Sequence, residues 1–152
     1  MNDEVVAESK EKVGRVAIDF FSWGHIDIGI AVFLLWSLIN LLPSAFEKTI
    51  MYIVPFWFSI VLTVGVAIIW EILENTVLYD KGFKFEGRRD SPKNAFWDVL
   101  FVFLGGLFMW GLKTLIVNFL LGVDGIFIFY IVGISTFVIV VIAFFIGRAR
   151  TK

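Results

Sequence analysis

Long apolar stretches constrain this chain more than any other feature. Four of them are separated by charged segments, and each has or can reach the roughly 17 residues that a helix needs to cross a bilayer core. They are Ile28–Phe46, Ile50–Trp70, Ala95–Val117 and Gly125–Gly147. Runs within them, such as Ile60–Ile69 and Val138–Phe145, are apolar on every side, whereas the strands of a membrane barrel alternate apolar and polar residues. The predicted fold class is all-α: a polytopic, multi-pass membrane protein with a four-transmembrane-helix bundle.

Composition excludes several other kinds of protein. Hydrophobic residues make up 59% of the chain and charged residues 18%, which is too apolar for an ordinary soluble domain or a disordered chain. No cysteine is present, so disulfides and thiolate metal sites are excluded. With one histidine, a single chain cannot build a metal site on two or three histidines. Any catalysis must therefore use His25, carboxylates, amides, hydroxyls, Arg or Lys.

The charge pattern predicts how the chain is divided. We expect a single transmembrane domain over residues 24–147 and a basic cytoplasmic tail over 148–152. Its predicted helices lie near 26–46, 50–74, 92–117 and 125–147. Residues 1–23, called the N-terminal segment below, are expected to be cytoplasmic or interfacial.

Within the N-terminal segment, polar and apolar residues alternate with helical spacing. The polar set is Glu8, Glu11, Lys12, Arg15 and Asp19, and the apolar set is Val6, Val13, Val16, Ala17 and Phe20. This spacing predicts an amphipathic helix on the membrane surface. A short soluble helix packed against the bundle is an equal alternative.

Basic residues predict the orientation of the bundle. If four helices alternate in direction, every Lys and Arg except Lys48 and Lys113 falls on one side. The positive-inside rule makes that side cytoplasmic. We therefore predict a multi-pass protein of the cell membrane with both termini in the cytoplasm.

Polar residues from three predicted helices converge on this cytoplasmic side. They are His25 and Asp27 from the first, Glu71, Glu74 and Asn75 from the second, and Arg88, Arg89, Asp90, Ser91, Asn94 and Asp98 from the third. Glu71 and Glu74 are three residues apart and share one helix face. Asp98 lies inside a spanning helix, where a charge costs roughly 2.5 to 3.5 kcal/mol and is by default a sign of function.

These positions predict a site with three kinds of group. His25, Glu71 and Asp98 are the candidate catalytic residues, with Asp27 as the alternative to His25 for acid–base work. Arg88, Arg89, Ser91 and Asn94 surround a predicted helix N-terminus, which favours an anionic head group. Carboxylate and amide oxygens are also suitable ligands for Mg²⁺, and the predicted set is Glu71, Glu74, Asn94 and Asp98.

Simpler interpretations stand beside these. Glu74, Asn75 and Asp90 can be solvated helix caps, and His25 an interfacial hydrogen-bonding residue. The alternative for the basic side chains of this region is that they only fix the topology and contact anionic lipid head groups. This is the favoured interpretation for Lys81, Lys84 and Lys93. Lys113 is expected to extend to the outer interface.

One stretch resembles a known group of proteins. Trp70–Asn75, Arg89–Asn94, Asp98 and Gly105–Gly106 resemble an uncharacterised bacterial inner-membrane family with the motif W-E-I-x-E-N followed by G-D-S-x-x-N-S-x-x-D, and more loosely the VanZ-like superfamily. Arg89 stands where that family typically has Gly, and Ala95 replaces its second small polar residue. The resemblance implies a compact helical bundle with a shared polar site, and it implies no particular reaction.

Three functions remain open from the sequence. The first is binding or processing of a phosphorylated lipid or polyprenyl head group. The second is a non-catalytic structural or interaction protein, in which Arg89 pairs with Glu71 or Asp98. The third is transport of an ion or small solute, which would need an oligomer because the outer halves of the second and fourth helices carry no charge. Predicted partners are membrane lipids and a second copy or another membrane protein, with no nucleic acid.

Overall fold

Long helices dominate the part of the chain that the structure describes. The computed structural model describes residues 5–7, 9–84 and 87–150, and its long elements are all helical. They are α1 (Phe21–Glu47), α2 (Phe56–Leu73), α3 (Pro92–Lys113) and α4 (Gly125–Arg150). A π-helical segment, Glu74–Leu78, continues α2, and a second, Thr114–Leu121, continues α3 and is followed by a 3-10 turn over Gly122–Asp124. The predicted all-α class is confirmed.

Three helical stretches are long and apolar enough to cross a membrane. They are Phe21–Glu47, Phe56–Leu78 and Pro92–Arg150, the last of which contains both α3 and α4. At 1.5 Å per residue, even α2 with its π-helical extension matches a bilayer core of about 30 Å. These helices support the prediction of a membrane-embedded protein.

Helix α1 lies at the centre of the bundle and contacts α3 most closely. A Cβ atom built on Gly29 would lie 2.1 Å from the carbonyl oxygen of Val102, and one built on Gly105 would lie 2.2 Å from that of Ile26. The two backbones therefore touch at this crossing, an approach that only glycine permits. This contact brings the beginnings of α1 and α3 to the same end of the bundle, which we call the polar end.

The opposite end of the bundle is fixed by buried polar side chains. The Oδ1 atom of Asn40 accepts hydrogen bonds from the backbone N–H groups of Ile53 and Val54, and its Nδ2 donates to the Val54 carbonyl at 2.6 Å. Lys113 is 1% exposed; its Nζ lies 3.4 Å from the centroid of the Phe56 ring and 2.8 Å from Asn118 Oδ1. The expectation that Lys113 extends to an interface is wrong, because these partners hold its ammonium inside.

The last helix packs back along α1. Gly122, with φ of +59°, ends the helical path that leaves α3, and such a conformation favours glycine. Near one end of the shared interface, the Tyr130 hydroxyl is 2.8 Å from Ser37 Oγ. Near the other, the Phe144 ring is 5.8 Å from that of Phe20. The two helices therefore run antiparallel.

The N-terminal segment is not an amphipathic helix over the residues described. A 3-10 turn covers Lys10–Lys12, an isolated bridge joins Val6 to Ile18, and Gly14 has φ of +74°. Glu8, part of the predicted polar face, lies outside the described residues.

Local hydrogen bonds explain this difference from the prediction. The Asp19 carboxylate accepts from the backbone N–H groups of Gly14 at 3.0 Å and Phe21 at 2.8 Å, so it stabilises a tight loop. Burial raises the pKa of the Asp19 carboxyl above its ordinary value. The apolar residues Val13 and Ala17 are buried against the protein instead of facing lipid. The segment folds over the polar end of the bundle.

Candidate functional site

Three helices bring the predicted catalytic residues together at the polar end. His25 Nε2 lies 3.6 Å from Asp98 Oδ1 and 3.9 Å from Glu71 Oε1. The residues come from α1, α3 and α2, and none is more than 7% exposed. Two carboxylates therefore approach the same imidazole nitrogen, and all three side chains are buried.

Several carboxylate oxygens in this region have no hydrogen-bond partner among the described residues. These atoms are Glu71 Oε1, Asp98 Oδ1 and Asp27 Oδ1, and all three are buried. The other Glu71 oxygen is 3.3 Å from Asn75 Nδ2. Buried carboxylate oxygens are costly without a partner, so these atoms are suited to hold a proton or a cation.

Glu74 completes a compact group with two of these residues. Ligand atoms of His25, Glu71 and Glu74 all lie within 4.8 Å of one another. Glu71 lies in the last turn of α2 and Glu74 begins its π-helical extension, so the two side chains, three residues apart, lie on one face. Glu71 and Glu74 of the predicted metal set are thus adjacent, Asp98 lies next to His25, and Asn94 is directed elsewhere.

Lys84, which the sequence predicts only to fix topology or contact lipid head groups, lies at the site. It is 6% exposed, and its Nζ contacts the Asp90 carboxylate, lies 3.0 Å from Asn75 Oδ1 and 3.5 Å from Glu74 Oε1. Asn75 Oδ1 also accepts from the Asp90 backbone N–H at 2.7 Å. No local pattern distinguishes Lys84 from Lys81 in the sequence, because its burial depends on how the α2–α3 connection folds back over Asn75.

Three of the predicted anion-binding residues instead bind the N-terminal segment. Arg88 Nη2 donates to the carbonyls of Glu11 at 2.6 Å and Val13 at 2.8 Å. Ser91 Oγ caps α3 by accepting from the Asn94 backbone N–H, and it donates to the Arg15 carbonyl. Asn94 Nδ2 donates to the Val16 carbonyl at 3.0 Å. Backbone carbonyls of the N-terminal segment thus accept hydrogen bonds from all three of these side chains, which are predicted to bind an anion.

Arg89 lies away from the buried carboxylates. Its Nη2 is 3.5 Å from Asp80 Oδ1, with both side chains at least 60% exposed, and its guanidinium stacks 4.9 Å from the centre of the Tyr79 ring. It therefore belongs neither to an anion site at the start of α3 nor to an ion pair with Glu71 or Asp98. We call Glu71, Glu74 and Asp98 the acidic cluster. Lys84 contacts this cluster through Glu74.

A cleft of about 380 Å³ opens beside the site between α1, α2 and α4. Its polar end is formed by His25, Asp27 and Glu74. Its remaining walls are mainly apolar and consist of Phe21, Gly24, Ile28, Trp70, Val141, Phe144 and Phe145. Trp70 and Phe145 are exposed on the outside of the bundle, so the cleft joins the lipid-facing surface to the acidic cluster.

Comparisons with protein-family models, curated proteins and solved structures found no match to this chain.

Proposed function

We propose that the chain is a multi-pass protein of the cell membrane with four transmembrane helices and both termini in the cytoplasm. The left-handed break at Gly122 and the antiparallel packing of α4 on α1 support two separate spans within Pro92–Arg150. The distribution of Lys and Arg supports the orientation. The transmembrane domain is then residues 24–147, and 148–152 form a cytoplasmic tail.

Within this topology, we propose that the protein binds a membrane lipid with a phosphorylated head group, such as a polyprenyl phosphate, and acts on that head group. The observation that carries the proposal is the cleft between α1, α2 and α4. Its apolar walls suit a lipid chain, and its polar end is formed by His25, Asp27 and Glu74. Its volume lies at the lower end of the range typical for small-ligand pockets.

The acidic cluster limits how a phosphate can be held. Glu71, Glu74 and Asp98 repel an anion, and Lys84 is already compensated by Asp90. A phosphate at the mouth of the cleft therefore needs a cation between itself and these carboxylates. In this scheme Asp27 is the candidate general acid or base, because it lines the cleft beside His25.

Lipid binding can be tested by filling the cleft without changing a charge. A Cβ on Gly24 would lie 3.5 Å from the Phe144 ring, so the larger side chain of Gly24→Leu extends into the cleft. We expect at least about tenfold weaker binding of phosphatidic acid or polyprenyl phosphate in phosphatidylcholine nanodiscs, the loss expected when roughly 1.4 kcal/mol of contact is removed. Ala45→Leu is the matched control, because it fills a cleft of about 370 Å³ between α1 and α4 at the opposite end.

The role of the acids is tested separately. Glu71→Gln and Asp98→Asn should abolish binding or turnover of the phosphorylated lipid while the protein keeps its helical content and melting temperature. Diacylglycerol, which lacks the phosphate, serves as the control ligand. Unchanged binding in Gly24→Leu, or equal binding of both lipids, would remove the proposal.

A non-catalytic structural role is the second candidate, and a specific contact favours it. Lys84 joins Asp90, Glu74 and Asn75 in a buried network that ties the end of α2 to the start of α3. Such a network holds helices together without any ligand. It predicts that substitutions at this cluster change stability and leave lipid binding untouched.

A further inference from the structure

We infer that His25, Glu71 and Glu74 form a binding site for one divalent transition-metal ion, an inference that rests on the function proposed above and deepens it. The three side chains reach one point from α1 and from two successive turns of α2. Two atoms that each lie about 2.1 Å from one ion are at most about 4.2 Å apart. The 3.9 Å between His25 Nε2 and Glu71 Oε1 meets this limit, and the 4.8 Å span of the whole group needs only a small rotation. Glu74, whose side chain is 20% exposed, is the ligand with room to make that rotation.

A second, independent observation points to a ligand at this position. Glu71 is more than nine-tenths buried, and its Oε1 faces the His25 imidazole with no hydrogen-bond partner. Asp98 Oδ1, which lies 3.6 Å from the same imidazole nitrogen, is also buried without a hydrogen-bond partner. Buried polar atoms in folded proteins are almost always paired, so two such oxygens around one histidine mark a missing positive charge.

No basic side chain of the described residues donates a hydrogen bond to either of these two oxygens. Arg88 is bound to the carbonyls of the N-terminal segment, and Arg89 is exposed beside Asp80. The ammonium of Lys84 contacts Asp90 and Asn75, and it lies on the Glu74 side of the group. It therefore positions the Glu74 carboxylate while Asp90 compensates its own charge. Glu71 Oε1 and Asp98 Oδ1 remain for a cation.

The donor set indicates which cation fits. Imidazole nitrogen suits first-row transition metals, whereas Mg²⁺ prefers oxygen ligands and keeps several waters. One imidazole and two carboxylates therefore favour Zn²⁺ or Mn²⁺ over Mg²⁺. Three protein ligands also leave coordination positions open toward the cleft. An oxygen of a lipid phosphate can occupy one of them, and this gives an acidic cluster a way to hold an anion.

Metal binding is tested on the untagged full-length protein in detergent, without lipid. After treatment with EDTA and dialysis, the protein is titrated with Zn²⁺, Mn²⁺ or Mg²⁺, and bound metal is counted by mass spectrometry. Mn²⁺ binding is also followed by electron paramagnetic resonance. We expect one Zn²⁺ or Mn²⁺ per chain and much weaker Mg²⁺ binding. Glu71→Gln and Glu74→Gln should each weaken binding by about 100-fold or more, since even residues that only orient metal ligands contribute 10- to 100-fold.

Asp27→Asn is the matched control. Asp27 is a neighbouring buried carboxylate on α1 with an unpartnered oxygen, but it lies outside the three-residue group, so its variant should bind metal normally. Glu74→Gln guards against misfolding, because its half-buried side chain is the least demanding of the three to replace. No bound Zn²⁺ or Mn²⁺, binding that survives both glutamine variants, or equally tight Mg²⁺ would overturn the inference.

Failure of this inference differs from failure of the proposed function. Phosphorylated-lipid binding that persists in EDTA would refute the metal site and leave lipid binding standing. Metal binding by a protein that does not bind the phosphorylated lipid would support the metal site and refute the proposed function. Gly24→Leu connects the two measurements, because it should lose lipid binding and keep the metal.

Discussion

Single charged residues decide the electrostatic balance of the polar end, and Lys84 is the most consequential of them. Its side chain is 1% exposed and that of its partner Asp90 is 7% exposed. A buried ion pair of this kind contributes little net stability over an apolar pair, but removing one partner leaves an uncompensated charge. A lysine that the sequence predicts only to fix topology therefore has a large expected effect on stability when it is replaced.

A double-mutant cycle measures this effect. Lys84→Met should lower the free energy of unfolding by about 3 to 5 kcal/mol, because it leaves Asp90 unpaired. The double variant with Asp90→Asn should be much milder, since it removes both charges. Unfolding in detergent can be followed by tryptophan fluorescence. Lys81→Met, at an exposed position of the same connection, is the control and should be nearly neutral. A double variant as unstable as Lys84→Met would show that the pair does not act as a unit.

The crossing of α1 and α3 sets the position of the site at the scale of helices. His25 is on the same helix as Gly29, and Asp98 is on the same helix as Gly105. The contact at these glycines therefore fixes how far apart the histidine and the aspartate lie. A change in the crossing acts on the site without touching a polar residue.

Alanine at either crossing glycine should separate the helices. At Gly29 the added methyl group meets the Val102 carbonyl, and at Gly105 it meets the Ile26 carbonyl, which are backbone atoms that cannot rotate away. We expect each substitution to lower the free energy of unfolding by at least about 1 to 3 kcal/mol. The control is Gly111→Ala in the same helix α3, where the added methyl group meets nothing within 4 Å apart from the helix's own nearby backbone. It should be neutral or slightly stabilising, because alanine is the better helix former. Equal melting temperatures for Gly105→Ala and Gly111→Ala would contradict the close contact.

The N-terminal segment is the element that the sequence analysis described least well. Helical spacing alone predicted a surface helix, yet the segment is a loop closed by Asp19 and positioned by Arg88. Hydrogen bonds from side chains to backbone carbonyls far along the chain leave no periodic pattern in a sequence. For the same reason, the donors Ser91 and Asn94 were assigned to an anion instead of to this segment.

Hydrogen exchange can test how Arg88 positions that segment. Arg88→Ala removes two charge-assisted hydrogen bonds to the carbonyls of Glu11 and Val13. Each is worth roughly 1.5 to 3 kcal/mol, so backbone amides over residues 9–19 should exchange at least about tenfold faster. Arg89→Ala removes a neighbouring arginine that is exposed and paired with Asp80, and it should leave those amides unchanged. The same exchange rate in both variants would show that Arg88 does not hold the segment.

For the molecule as a whole, the sequence predicts more of the fold than of the hydrogen bonds and ion pairs at the site. Apolar length alone indicates the long helices, because a bilayer demands that every backbone group be paired within a helix. The convergence of His25, Glu71 and Asp98 also follows from their depth along three helices, and the distances agree. Which base pairs with which acid depends on the fold of the α2–α3 connection. Lys84 therefore pairs with buried acids, while Arg89 lies exposed beside Asp80.

The number of spans distinguishes two whole-molecule topologies, because Pro92–Arg150 can cross the membrane once or twice. The chain has no cysteine, so single cysteines can be introduced at the exposed positions Glu47, Lys81, Asp124 and Arg150 without a competing thiol. With four spans and cytoplasmic termini, an impermeant maleimide should label positions 47 and 124 on intact cells, and positions 81 and 150 only after permeabilisation. With three spans, positions 81 and 150 would be labelled from opposite sides of the membrane. Because α4 must return along α1 for Phe144 to reach the cleft, that second pattern would also remove one wall of the proposed lipid site.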